Sequence, residues 1–146
     1  MRLARLVRAA PLVVGLALWA GPAAASVELG LGADYWVDPR GGAFQLTLAV
    51  ETPLARALTI GGRFGALVLT SPNQFGVPVD LRLRVRVQRV YFDGLVGPWC
   101  LFGERNPVRA HVAFGFGLLA AGITFGLEVG WLDPSTLLGI RLGFRN

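Results

Sequence analysis

Residues 77–88 read VPVDLRLRVRVQ. Val77, Val79, Leu81, Leu83, Val85 and Val87 alternate with Pro78, Asp80, Arg82, Arg84, Arg86 and Gln88. Successive side chains of a strand point to opposite faces, so an extended chain puts every apolar group on one side and every charge on the other. A helix would spread Arg82, Arg84 and Arg86 around its circumference and bury at least one of them. The segment reads as a strand whose two faces meet different surroundings.

The same period of two recurs along the chain. Val27, Leu29, Leu31, Ala33 and Tyr35 oppose Glu28, Gly30, Gly32, Asp34 and Trp36, and Phe44, Leu46, Leu48 and Val50 oppose Gln45, Thr47, Ala49 and Glu51. Towards the end, Ile123, Phe125, Leu127, Val129 and Trp131 oppose Thr124, Gly126, Glu128, Gly130 and Leu132, and Leu138, Ile140, Leu142 and Phe144 oppose Gly139, Arg141, Gly143 and Arg145. In these five segments one face is apolar throughout, and only Trp36 and Leu132 on the other are large and apolar. Weaker alternation covers 58–68 and 109–118, while 95–102 (LVGPWCLF) has no clean period and is assigned as a strand on topology alone. That makes eight strands.

Short polar clusters separate them: 38–42, Thr52-Pro53, Ser71-Pro72-Asn73, Asn106-Pro107 and Asp133-Pro134-Ser135. Asp93-Gly94 is a strong hairpin signal. Gln88-Arg89 shifts the alternation and reads as a bulge. Connections this short suit an up-and-down antiparallel meander.

The chain has 146 residues, 53% of them hydrophobic, and carries a formal charge of +5. Three of its 14 basic residues, Arg2, Arg5 and Arg8, stand in an N-terminal segment that has the form of an export signal. Residues 1–25 combine that basic start with an apolar run from Pro11 to Ala20, a Gly21-Pro22 break and an Ala23-x-Ala25 cleavage pattern. The expected division is a signal peptide at 1–25 and a single barrel domain at 26–146. Beyond residue 25 there are 11 arginines against nine acids, so no basic surface for nucleic acid is implied. Lysine is absent, which fits a GC-rich coding bias and also supplies the side chain best suited to fixed, multidentate ion pairs. With one cysteine, Cys100, an intrachain disulfide is excluded. A small exported domain without staples needs another source of stability, and a bilayer is one.

Eight strands of about ten residues can close into a barrel whose interior is only just filled by side chains. The Leu, Phe, Val and Ile of the apolar face are too many and too large for that interior. The opposite face, rich in Gly, Ala and Thr, is poor material for a soluble surface. Aromatic residues gather near strand ends (Tyr35, Trp36, Phe44, Phe75, Trp99, Phe102, Trp131, Phe144), as interfacial girdles would. The expected fold is therefore all-β: an eight-stranded antiparallel up-and-down transmembrane β-barrel. Its lumen would hold Glu28, Asp34, Glu51, Asp80 and Glu128 with Arg63, Arg82, Arg84, Arg86 and Arg141. Confined charges must be paired, so this reads as a packed polar plug rather than a channel.

At this level the chain resembles the small eight-stranded outer-membrane β-barrel proteins of Gram-negative bacteria, the OmpA/OmpX type. The signal segment, the eight alternating strands, the short turns and the last strand LLGIRLGF carry the resemblance. It implies outer-membrane localisation, lipid and lipopolysaccharide as surroundings, and the barrel-assembly machinery as a partner. It also implies termini facing the periplasm and outward connections near 37–42, 70–76, 103–107 and 133–136. In the family the final strand usually ends in an aromatic residue; here Phe144 is followed by Arg145 and Asn146.

Other readings carry less. His111 is the single histidine. Some outer-membrane barrels modify lipid A with a His, a Ser and an acid, and Glu104, Ser71 and Ser135 lie in outer connections, but the His-x-Ser arrangement of lipid A deacylases is absent because Ala113 follows Val112. His111 reads better as a lumen histidine hydrogen-bonded among charges. One His and one Cys match no metal-ligand spacing, and neither a metal nor a cofactor is expected; Cys100 reads as a small hydrophobe in the wall. Gly122, Gly126 and Gly130 would permit helix packing were residues 110–127 helical. The leading expectation is a non-enzymatic structural barrel. The alternatives are a periplasmic soluble barrel holding a lipid-like ligand and a lipid A-modifying enzyme.

Overall fold

The computed structural model describes residues 25–38 and 40–146, so the expected signal segment lies almost wholly outside the described residues. Eight strands follow one another: β1 (Ser26–Trp36), β2 (Gly41–Ala55), β3 (Leu58–Thr70), β4 (Asn73–Val87), β5 (Val90–Leu101), β6 (Val108–Ala120), β7 (Ile123–Leu132) and β8 (Ser135–Arg145). Each pairs antiparallel with its neighbour in sequence, and β1 pairs with β8 to close the barrel, with Leu29 opposite Phe144 and Leu31 opposite Leu142. Closure leaves no free sheet edge, so every strand finds backbone partners on both sides.

Five of the seven connections are two-residue turns: Arg56-Ala57, Ser71-Pro72, Gln88-Arg89, Ala121-Gly122 and Asp133-Pro134. Gln88 takes φ 57°, Ala121 48° and Gly122 80°, the positive values that match a tight turn to strand twist. The start of β1, the end of β8 and the turns β2–β3, β4–β5 and β6–β7 lie at one end, here the terminal end. The other four connections form the distal end.

Three sequence expectations need correction, and the helical alternative for 110–127 falls. Asp93-Gly94 is not a hairpin: both residues are in the middle of β5, which begins at Val90. The chain turns five residues earlier at Gln88-Arg89, where a bulge was expected, and this register sets Arg84 opposite Asp93. Thr52-Pro53 is strand rather than turn, with a register irregularity between Pro53 and Ala55. Gly126 and Gly130 belong to β7, so their spacing is not helical.

The faces are assigned by the period of two. Leu29, Leu31, Leu46, Phe64, Leu81, Leu83, Phe114, Phe116, Phe125 and Ile140 stand exposed on the outside, while Arg63, Asp80, Arg82, Arg84 and Glu128 are buried inside. An apolar band this continuous is adapted to hydrocarbon, not water. A soluble ligand-binding barrel needs the reverse facing.

Two of the expected girdle aromatics are elsewhere. Trp36 (4% exposed) and Trp99 (0%) point inward and pack with Ala43, Leu67, Leu69, Leu101, Leu132 and Leu137 in an apolar cluster inside the distal end. Tyr35, Phe44, Phe75, Phe102, Trp131 and Phe144 do face outward, and Phe75 and Phe102 stack at 5.9 Å.

Candidate functional site

The lumen is where the sequence concentrates its chemistry, and strand parity delivers it there. Along β4 every second side chain is inward, which sets Asp80, Arg82 and Arg84 in a column and carries Arg86 to the terminal mouth. Their partners come from all round the wall. Arg82 Nη2 lies 2.8 Å from Glu28 Oε1 and 2.7 Å from Glu51 Oε1. Arg84 donates through Nε and Nη2 to the two oxygens of Asp93 (2.6 and 2.8 Å) and through Nη1 to Glu28 (2.7 Å), with its guanidinium 4.2 Å from the Tyr91 ring. A planar, five-donor guanidinium can grip one carboxylate at two points and still donate to a second, a fixed geometry that the point charge of a lysine does not offer.

One layer nearer the distal end, Arg63 bridges the lumen. Its Nε and Nη2 donate to Asp80 Oδ2 (3.1 and 2.8 Å), and its Nη1 donates to Glu128 Oε2 (2.7 Å). Arg141 Nη2 sits 2.6 Å from Asp34 Oδ1 and 2.8 Å from Glu128 Oε1. Gln45 donates to the other oxygen of Asp34. Two glycines make room for Arg141: a Cβ on Gly32 or Gly139 would fall 2.8 or 2.6 Å from its Nη1. Asp80 Oδ1 then accepts from Trp99 Nε1 (3.0 Å) and contacts His111 Nδ1 (2.7 Å), and those two rings lie 4.2 Å apart. Asp80 thus joins the charged layers to the apolar cluster above them.

Of the ten residues singled out in the sequence, nine lie in this close-contact network: Glu28, Asp34, Glu51, Arg63, Asp80, Arg82, Arg84, Glu128 and Arg141. Arg86 is peripheral, 3.7 Å from Glu51 with its side chain 28% exposed. Sequence reasoning leaves out Asp93, disguised by the glycine that follows it, and Arg145, which lies 3.7 Å from Glu51. The parity of β5 would have found Asp93, because Tyr91, Asp93 and Leu95 face in while Phe92, Gly94 and Val96 face out.

The arrangement fills the lumen. A cavity of about 30 Å³ remains among Glu28, Thr47, Arg63, Arg84, Asp93 and Glu128, space for one or two waters. His111 is buried, and its Nε2 has no hydrogen-bond partner among the described residues. Ser135 donates instead to the Asp38 carbonyl, so it forms no dyad with the imidazole. Cys100 is half-buried in the wall on the outward parity of β5. No group of three metal-ligating side chains occurs among the described residues.

With that geometry in view, the solved structures that resemble the chain are informative. A de novo designed transmembrane β-barrel superposes with a TM-score of 0.65 at 11% identity, covering 83% of this chain and 95% of the design. The chain shares the fold of a small membrane barrel. The outer membrane enzyme PagL matches with a TM-score of 0.59 at 14% identity, covering 82% of this chain and 97% of that one. The N-terminal β-barrel domain of Pseudomonas aeruginosa OprF gives 0.56 at 9% identity, covering 83% and 97%. Identities this low carry the architecture alone. No protein-family model matches the chain, and no curated protein matches it in sequence.

Proposed function

We propose that the chain is a non-porous, non-enzymatic structural barrel of the outer membrane of a Gram-negative bacterium. It would be exported by a signal peptide at 1–25 and inserted by the barrel-assembly machinery among phospholipid and lipopolysaccharide. The observation that carries this reading is the filled lumen: six carboxylates and their arginines occupy the middle, and the Trp36–Trp99–Leu101–Leu132 cluster closes the distal end. A hydrated ion entering it would have to break buried pairs, each of which leaves an uncompensated charge when opened. The short connections add support, since binding surfaces concentrate in long loops.

The second reading, a lipid A-modifying enzyme, draws on the fold shared with an outer membrane enzyme. It lacks a hydroxyl partner for the buried His111 imidazole among the described residues. Three measurements test the proposal together. Cell fractionation with unheated and boiled SDS samples should show a heat-dependent mobility shift in the outer-membrane fraction. Planar-bilayer recording of that material should give no steady conductance. Lipid A mass spectra should be the same with and without the protein. Sustained single-channel currents, or a changed lipid A mass, would overturn it.

A further inference from the structure

The charges of the barrel are not evenly distributed along its axis. At the distal rim Asp38, Glu104 and Asp133 match Arg40, Arg105 and Arg109 in number. Inside, Glu28, Asp34, Glu51, Asp80, Asp93 and Glu128 match Arg63, Arg82, Arg84, Arg86, Arg141 and Arg145. What remains of the 11 arginines against nine acids is Arg56 and Arg89, both in turns at the terminal end. The whole side-chain excess of the domain is therefore at one mouth.

That mouth is hollow. A cavity of about 200 Å³ opens there, lined by Ser26, Arg56, Thr59, Arg86 and Arg145 among others. The three arginines come from the β2–β3 turn, β4 and β8, so they converge from different sides. Their donors are not used up. Arg86 Nε and Arg145 Nη1 have no hydrogen-bond partner among the described residues. The nearest carboxylate, Glu51, is 3.7 Å from each, beyond hydrogen-bond reach; its Oε1 lies 2.7 Å from Arg82 and its Oε2 accepts from Thr59 (3.1 Å). Arg145 Nη2 donates to Ser26 Oγ (2.5 Å). Buried guanidinium N–H groups without acceptors are costly and call for an anion.

We propose that the terminal mouth is a binding site for a phosphate group, held by Arg56, Arg86 and Arg145. Three converging guanidiniums present more donors than the two oxygens of a carboxylate can accept, whereas a phosphate offers three or four acceptors. Cleavage after Ala25 would add the α-amine of Ser26, a fourth cation, to the same rim. The chemistry is shared by free phosphate and by the headgroup of a phospholipid in the adjoining leaflet. The proposal concerns the mouth alone and does not depend on how the lumen plug is read.

The test uses the barrel purified from membranes in dodecyl maltoside, with folding read separately by the heat-dependent gel shift. Inorganic phosphate is titrated by ³¹P NMR line broadening, and phosphatidylglycerol retained from mixed micelles is counted by native mass spectrometry. Arg86→Gln and Arg145→Gln should each weaken binding about tenfold or more. Arg56→Gln, in an exposed turn where folding is not at stake, should weaken it several-fold. Arg89→Gln removes the same charge from a neighbouring turn outside the cavity and should have little effect. Phosphate binding lost in the three cavity variants supports the site with a free anion as ligand. Retention of phosphatidylglycerol alone, lost in the same variants, supports it with a lipid headgroup. Binding of neither probe, or equal weakening by Arg89→Gln, overturns it.

Discussion

Replacing Arg84 with leucine tests the account of the lumen most directly. Arg84 makes three hydrogen bonds to Asp93 and Glu28 at 2.6–2.8 Å in a buried setting. Taken singly, charge-assisted bonds contribute about 1.5–3 kcal/mol each, and their plain sum would overstate the loss. Breaking a buried pair costs about 3–5 kcal/mol, because the partner charge is left uncompensated. Here Arg82 stays within 2.8 Å of Glu28 and 3.3 Å of Asp93, so part of the charge is recaptured. The expected loss is therefore at the lower end, about 3 kcal/mol. The neighbour Leu83 faces outward, 42% exposed, and Leu83→Val removes one methylene worth at most about 0.8 kcal/mol. Urea unfolding of each variant from lipid vesicles, followed by tryptophan emission and gel mobility, gives the comparison. The double variant Arg84→Leu/Asp93→Leu should recover about half the loss, since it removes the stranded carboxylate as well. Equal destabilisation by Arg84→Leu and Leu83→Val would refute the facing and the pairing together.

Trp99→Ala should cost about 3–5 kcal/mol in the same assay, as for a large aromatic removed from a packed interior, whereas Trp131→Ala on the outer face should cost well under half of that. Gly139→Val places a branched side chain where Arg141 lies and should abolish the folded band on unheated gels; a normal band would show that Arg141 has another place to go. His111→Leu should lower stability by about 1 kcal/mol, because Asp80 keeps Trp99 and Arg63 as donors, and should leave the lipid A mass spectrum unchanged. A variant as stable as the parent but with altered lipid A would assign the imidazole a chemical role.

The fold was legible wherever the two faces of a strand differ in polarity. β4 and β7 alternate cleanly because their inner faces carry Asp80, Arg82 and Arg84, or Thr124 and Glu128. Legibility fails at the distal end, where the lumen itself is apolar. In β5, Leu95, Trp99 and Leu101 face in while Val96, Pro98 and Cys100 face out, so both faces read as hydrophobic and the period vanishes. The same cluster took Trp36 and Trp99 from the expected girdle, since an aromatic near a strand end has the same sequence signature on either side of the wall. Asp93 was hidden differently. Its local turn preference was real, but a two-residue turn at Gln88-Arg89 keeps Arg84 opposite an acid, and that long-range pairing outweighs a dipeptide preference. Arg145 continued a column of inward residues in β8, yet the carboxylate nearest to it, Glu51, belongs to β2, and no local pattern links them.

The span of the ion pairs bears on how such a barrel is made. Arg63 on β3 reaches Glu128 on β7, and Arg82 and Arg84 on β4 reach Glu28 on β1. None of these contacts exists in a flat, open sheet. Until β1 meets β8, Glu28 and Glu128 lack these partners, and a half-made sheet cannot enter hydrocarbon without carrying exposed charge. Neighbouring strands begin the neutralisation through Arg63–Asp80, Arg84–Asp93 and Glu128–Arg141, and closure completes it by bringing Glu28 to Arg82 and Arg84 and Glu128 to Arg63. A barrel wired across its own diameter acquires its last balancing contacts only when the ring shuts.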